Sequence, residues 1–336
     1  MGCDLGSKSQ IANQEVVHFG RAAAPKMQVI TLRFKAAAID QETKGMRMAK
    51  IDIGLRQAHK LANLPPDRRT AFIAEGLPIL LESARGLYAA SQVISDMSRE
   101  SSVLKGHAEE EAAKILILMD IVRCPRKLIA GRIGTLMGWY YDHLSRLLYA
   151  EACQWRPVDL KELRKIIDQR RVTHYVEGGM GEYIVPNDLI YQRETRLYAD
   201  IEGLDDGTLQ WIAPNGSVRL FESTPDALVV AEALSAFGAF SIKGINAISA
   251  VWDEVDFQDD ASCHESDRLI QAMLERLIEE QLVTDAASDD HVGHLYRRWQ
   301  MPLYALDMKA KAVERSALEA EQERMLWAEM GVANEY

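Results

Sequence analysis

Apolar residues recur at three- and four-residue steps along most of this 336-residue chain, whereas strand-like alternation is confined to two short regions. A spacing of three and four places side chains on one face of an α-helix, so the pattern predicts a mostly α-helical protein. With 48% apolar residues, the chain can bury the core of one large domain or two ordinary ones. We therefore expect an all-α fold.

From about Asp67 the spacing predicts four helices, which short connections would pack as an antiparallel bundle. Pro125 and Pro157 stop the second and third helices, because proline lacks the amide hydrogen that a helix needs. The glycines of "EGGMG" are expected to cap the fourth helix. The predicted helices lie at about 71–98, 102–122, 133–154 and 159–176.

The remaining segments differ from the bundle in their sequence pattern. We expect a leader at 1–66, with a strand or frayed helix at 27–36 and a helix at 43–62. The bundle then occupies 67–180, and a β-hairpin or irregular arm around "DDG" occupies 181–215. An acidic helical region at 216–336 completes the chain, with predicted helices at 225–251, 262–284 and 290–329.

Charge and composition narrow the functional class. The net charge of -11 argues against a general nucleic-acid coat protein, but residues 123–171 carry eleven Lys or Arg against five Asp or Glu, a net of +6. Residues 222–290 carry three Lys or Arg against sixteen Asp or Glu, a net of -13.

No window of the sequence reaches the roughly eighteen apolar residues of a membrane span, and no secretory signal opens the sequence. We expect a cytoplasmic protein without a membrane association.

Metal and cofactor chemistry has little support in the sequence. The four cysteines are widely separated, so neither a disulfide framework nor a structural zinc site is expected. His291 and His294 stand three residues apart, but no carboxylate or cysteine at a supporting spacing completes a metal site. We expect no cofactor and no bound metal.

The segment "GHAEEEAAKILILMDIVRCPRK" at 106–127 places a carboxylate cluster one turn before an unbroken apolar run. Glu110 and Lys114 are four residues apart, as are His107 and Glu111, so simple helix salt bridges are one interpretation. The small residues that follow the glutamates favour a second interpretation, in which another helix packs closely against this one beside the charged turn.

The predicted third helix carries "GWYYDHLSRLLYAEA", in which His143 and Arg146 lie three residues apart on one face. If this helix neighbours the previous one, its His/Arg pair meets the carboxylates. A carboxylate would raise the proton affinity of His143, and Arg146 could neutralise a phosphate. The two faces together would form a chemically usable group.

Three motifs resemble those of the AbiV family of bacterial abortive-infection proteins, which belong to the HEPN-like helical superfamily. "AEEEAAKILIL" is similar to the family's E-E-(I/L)-G-K helix, and "YYDHLSR" to its aromatic-x-D-H-x-x-K helix. "RETRLYADIEGLDDGTLQWIAP" is similar to a third segment. The likeness covers roughly residues 75–215. The matching positions are Glu110, Glu111 and Lys114, then His143 and Arg146, and finally Arg196, Tyr198 and Asp200.

The resemblance implies a HEPN-like bundle that forms homodimers, with the small residues Ala108, Ala112 and Ala113 permitting close approach of the second copy. Two departures weaken the match: Ala112 and Ala113 replace an apolar-Gly pair, and Arg146 replaces the usual lysine. The Arg and His that HEPN ribonucleases space four to six residues apart are also missing. The likeness therefore implies the fold more strongly than nuclease activity.

The resemblance leads to two functional hypotheses. In the first, the protein is a phage-defence effector that arrests growth or translation of the infected cell, as a metal-independent RNase acting on tRNA or rRNA after a phage-encoded activator triggers it. His143 would then act as general acid/base, Arg146 as phosphate ligand and Glu110 or Glu111 as orienter. In the second, it is a non-catalytic helical protein that binds a phage or host protein.

Overall fold

Residues 115–122, which are apolar except for Asp120, are all buried along one helix of the core. The computed structural model describes residues 56–179, 181–203, 207–215, 223–253, 255–258 and 260–333. In it, helix α1 spans Pro66–Val93 and helix α2 spans Ser98–Arg123, and the two pack along each other across the short connection 94–97. The described chain is mostly helical, which confirms the predicted all-α fold.

The predicted third helix is two helices, so the prediction of one continuous helix at 133–154 is wrong. Helix α3 spans Arg126–Tyr141 and helix α4 spans His143–Ala152. Asp142 between them is extended, and its carboxylate accepts a hydrogen bond of 2.8 Å from the backbone N–H of Ser145. Asp142 is thus the N-cap of α4, because its side chain satisfies the Ser145 N–H, which would donate to a backbone carbonyl if the helix were continuous.

The predicted fourth helix is also shorter than expected. Helix α5 spans Leu160–Arg170, and the chain then forms the antiparallel strands β1 (His174–Glu177) and β2 (Tyr183–Pro186). The glycines of "EGGMG" belong to the turn of this hairpin instead of capping a helix. Gly178 and Gly181 have φ of 103° and 72°, a region that costs glycine little.

A second hairpin follows, as the alternating pattern around "DDG" predicted. Strand β3 spans Asp200–Gly203 and pairs antiparallel with strand β4, Leu209–Ile212. Between the hairpins lies helix α6, Asp188–Leu197, which the sequence analysis did not predict. Asn187 caps α6 through a 3.1 Å hydrogen bond from the N–H of Ile190.

The C-terminal region is helical, but its predicted helices are interrupted. The breaks fall at 237–241 and at 299–314, which are not helical. The five helices are α7 (Asp226–Ala236), α8 (Ile242–Trp252), α9 (Cys263–Glu279), α10 (Asp289–Arg298) and α11 (Arg315–Ala333). Helices α7 and α8 pack against both α1 and α2, and one hydrophobic cluster runs from Leu61 to Met308.

Two expectations for the first 66 residues fall wholly or mostly outside the described part of the chain. The segment 27–36 lies outside it, as does most of the predicted helix at 43–62. The described end of that helix is a short 3-10 helix, Gln57–Asn63. None of the described helices has the length and apolar character that crossing a membrane requires.

Candidate functional site

Glu110 is a carboxylate buried within the helical core. It lies on α2 between fully buried alanines at 108 and 112, and only 3% of the residue is exposed. Burial of an ionised carboxylate is costly unless cations and hydrogen-bond donors compensate it. Three such groups, from two other helices, surround this one.

The first two donors come from the start of α4. The Nδ1 atom of His143 lies 2.8 Å from Oε2 of Glu110, and Nη2 of Arg146 lies 3.2 Å from the same oxygen. The break at Asp142 places His143 at the first position of α4, from which its side chain reaches α2. The sequence prediction that these faces meet is confirmed for Glu110, His143 and Arg146.

Nδ1 of His143 also lies 2.8 Å from Nη2 of Arg146. A guanidinium only donates and a carboxylate only accepts, so Nδ1 can form a hydrogen bond with only one of them. Arg146 has other acceptors in Glu110 and in the backbone carbonyl of Asp142, 3.3 Å from its Nε. We therefore assign the proton to Nδ1, which donates to Glu110. This tautomer leaves the lone pair of the neutral ring on Nε2.

The third donor is Arg193 of α6, which the sequence analysis missed. Its Nε–H donates to Oε1 of Glu110 over 2.8 Å, and its Nη1 donates to Glu194 over 2.6 Å. The motif comparison had selected Arg196, three residues later. Only the capping residue Asn187 signalled that 188–197 is a helix, in which Arg193 and Arg196 share a face.

These neighbours control the ionisation of Glu110. Burial alone would raise its pKa, but the charge of Arg146 and hydrogen bonds from Arg193 and His143 outweigh burial and hold the pKa of Glu110 below its ordinary value. The carboxylate is thus ionised at neutral pH. It can orient the imidazole ring and stabilise a proton on it.

Access to the cluster differs between its members. About 47% of the His143 side chain is exposed, against 10% for Arg146. Among the described residues, no hydrogen bond engages Nε2 of His143. An exposed imidazole fixed by a buried carboxylate has the geometry of a general base, whereas the Arg146 guanidinium is largely committed to protein acceptors.

The second glutamate of the motif takes no part in this cluster. Glu111 pairs with Lys114, and Nζ of Lys114 lies 5.5 Å from the ring centre of Tyr140. Neither a Glu110–Lys114 pair nor a His107–Glu111 pair occurs among the ion pairs of the described residues, so those two predicted salt bridges are wrong. Burial, and then the charge of Glu111, raise the pKa of Tyr140 to about 12.

The third predicted motif is not gathered at Glu110. Tyr198 is 58% exposed, and Asp200 lies exposed at the start of β3. Arg196 lies in the last turn of α6 and lines, with Glu110 and Arg193, a polar cavity of about 140 Å³ between α2, α4 and α6. Of this motif only Arg196 is therefore near the cluster.

The small residues of α2 have a different role from the expected one. Ala108, Ala112 and Ala113 are completely buried within one chain. The expectation that they permit the close approach of a second copy is therefore wrong. Their small size instead lets the other helices of the same chain pack against α2.

A second buried ion pair lies further along α2, and the sequence analysis did not identify it. Arg123 donates to Asp120, and both residues are almost completely buried. The guanidinium carbon of Arg123 lies 4.0 Å from the ring centre of Trp299 and 4.9 Å from that of Trp252. This arrangement connects α2 to the C-terminal helices and is structural.

Comparisons with known proteins gave no match to this chain. No family model matches the chain, and neither curated proteins nor solved structures give a match. Within the described residues, no three His, Cys, Asp or Glu side chains are grouped so that they could hold a metal ion. The functional argument therefore depends on the residues of the cluster.

Proposed function

We propose that the protein is a bacterial anti-phage abortive-infection effector that arrests growth or translation by cleaving RNA without a metal ion. The observation that carries the chemistry is the contact of 2.8 Å between His143 Nδ1 and the buried Glu110 carboxylate, with the ring half exposed. The defence role comes from the motif resemblance to AbiV proteins. The resemblance also suggests a homodimer and a phage-encoded activator.

In this reaction His143 Nε2 takes the proton of an RNA 2′-hydroxyl, whose oxygen attacks the adjacent phosphorus. The bond from phosphorus to the 5′-oxygen breaks, and that oxygen takes a proton from water, which yields a 2′,3′-cyclic phosphate and a 5′-hydroxyl. His143 then returns its proton to the hydroxide that is left. Glu110 orients the ring and stabilises the imidazolium. General acid/base catalysis of this kind contributes about 10²–10⁴-fold to a rate.

Arg146 was predicted to be a phosphate ligand, and its burial favours a different role. Its guanidinium contacts Glu110 and His143, so it holds the pair in place and maintains a positive field beside the ring. Only about 10% of its side chain is exposed, so it offers little surface to a phosphate. We therefore propose Arg146 as a positioning residue.

The test is cleavage of total tRNA and rRNA by the purified chain in EDTA. We expect His143→Ala to abolish cleavage while circular dichroism and the melting temperature stay close to wild type, because the side chain is half exposed. Glu111→Gln, which lies outside the cluster, is the matched control and should retain activity. Intact RNA with the wild-type protein, or cleavage by the His143→Ala variant, would refute the nuclease proposal.

A second candidate function, binding of a phage or host protein without catalysis, is favoured by the β3–β4 hairpin. Ile201 and Trp211 are paired across the strands, and they are 52% and 77% exposed; Leu209 beside them is 74% exposed. Such a patch is typical of an interaction surface. Phage-challenge assays separate the two functions, since Trp211→Ser should abolish protection in the second and His143→Ala in the first.

A further inference from the structure

A cavity of about 180 Å³ lies at the junction of the loop 155–158, the start of α9 and the end of α10. It shares no lining residue with the polar cavity beside Glu110. Its walls include Trp155 and Arg156 from the loop, Cys263 from α9, and Arg297 and Trp299 from the end of α10. The proposed RNA chemistry makes no use of this cavity.

The two arginines of the cavity have no acidic partner within the described parts of the chain. The Arg156 guanidinium donates only to the neighbouring carbonyl of Trp155, and Arg297 folds back over Gly293 of its own helix. Arg298, by contrast, is bound to Asp226. Among the described residues, therefore, no ion pair compensates the positive charge of Arg156 or Arg297.

The arginines are also close enough to affect one another. Partial burial lowers the pKa of Arg156, and the charges of Arg298 and Arg297 lower it further. Cations held together without a counter-charge repel each other, and an anion bound between them would relieve that repulsion. This electrostatic arrangement is the one that oxoanion-binding sites use.

A helix terminus also contributes to the electrostatics of the cavity. The cavity lies at the N-terminal end of the 17-residue helix α9, where the helix dipole favours negative charge. Trp299 contributes a wall of the cavity and is 4% exposed.

Asp267 is the acidic side chain among the described lining residues. Burial raises its pKa, and the charge of His264 opposes this rise. No ion pair joins Asp267 to Arg156 or Arg297 in the described residues, so it does not neutralise them. The arginines remain available to a ligand.

We propose that this cavity binds a phosphate group, either as inorganic phosphate or as the terminal phosphomonoester of a nucleotide. Sites for drug-sized molecules enclose about 300–1,000 Å³, so this smaller cavity fits a phosphate group and not a whole nucleotide. Arg156 and Arg297 supply the guanidinium donors. Tyr296, 37% exposed beside them, offers a ring to a base that stays outside.

The experiment is calorimetric titration of the full chain with three probes: inorganic phosphate, adenosine 5′-monophosphate and adenosine. We expect saturable binding of the two phosphate-bearing probes and none of adenosine. Tighter binding of the nucleotide than of phosphate would identify a phosphomonoester as the preferred source, and equal binding would identify the free ion. Quenching of tryptophan fluorescence by the same probes is the second readout, since two indoles line the cavity.

Variants localise the site. Arg156→Gln and Arg297→Gln should each weaken phosphate binding at least tenfold, and the fold should survive because both side chains are exposed. Arg315→Gln on α11, which removes another exposed arginine outside the cavity, is the matched control and should bind as wild type. Absence of saturable binding at millimolar phosphate, or unchanged affinity in both cavity variants, would overturn the proposal.

Discussion

The Nε–H of Arg193 donates to Oε1 of Glu110 over 2.8 Å, and this bond connects α6 to the central helix α2. No residue of α6 is fully buried, although Leu189 and Ile190 are partly buried against the core. The position of the helix on the bundle is therefore also fixed by polar contacts. A further pair of these comes from Arg99 of α2, which donates to the carbonyls of Arg196 and Leu197 over 3.0 and 3.1 Å.

We predict that Glu110→Gln destabilises the protein by about 3–5 kcal/mol, because it leaves the buried guanidinium group of Arg146 without its counter-charge and removes one of the two carboxylates that pair with Arg193. Urea unfolding of the variant measures the loss. Glu111→Gln is the control, since its pair with Lys114 is partly exposed and should cost less than about 1 kcal/mol. Equal losses in the two variants would show that Glu110 is not the structural centre of the cluster.

The local pattern was sufficient to predict part of this cluster. Glu110, His143 and Arg146 could be proposed as neighbours because the small residues after the glutamates indicated a packing seam and the two helices were expected to be adjacent. The same reasoning placed Glu111 with them wrongly. One residue of rotation on a helix is about 100°, which separates Glu111 from Glu110 and turns it towards Lys114.

Other parts of the fold depend on single residues, whose effect is hard to recognise in the hydrophobic periodicity of the sequence. The break at Asp142 follows from one side chain that caps Ser145 inside an otherwise helical sequence. Arg193 was missed because α6 is short and lies between two hairpins, so its periodicity is brief. The Asp120–Arg123 pair was missed because it lies within an apolar run, where partners distant in sequence decide whether a charge can be buried.

The acid stability of the protein should depend on Glu110. Its pKa is lowered from the ordinary value of 4.5 in the folded state, so the stabilisation is fully present above that value. As the pH falls below it, the unfolded state binds the proton first, and stability is lost until the lowered pKa is passed. We predict that the difference in unfolding free energy between wild type and Glu110→Gln shrinks as the pH falls below about 4.5. A pH-independent difference would contradict this assignment.

We predict that Asp120→Asn and Arg123→Met each destabilise the fold by about 3–5 kcal/mol, because each leaves one buried charge unpaired. Asp120 also accepts from the Tyr149 hydroxyl and from the N–H of Leu303, at 2.9 and 2.8 Å, so its loss affects two distant segments. The double variant should lose clearly less than the sum of the single losses. Urea unfolding of all four proteins measures the coupling, and strict additivity would show that the two charges do not stabilise each other.

Two glycines should respond to alanine in opposite directions. A Cβ on Gly244 would lie 2.2 Å from the carbonyl oxygen of Gly238, so Gly244→Ala forces the backbone segments apart and should cost about 1–3 kcal/mol. A Cβ on Gly134 would meet no atom within 4 Å, and alanine is the better helix former, so Gly134→Ala should stabilise α3 by about 0.5–1 kcal/mol. Thermal unfolding of both variants tests the pair. A lower melting temperature for Gly134→Ala would indicate that another molecule packs on this open face of α3.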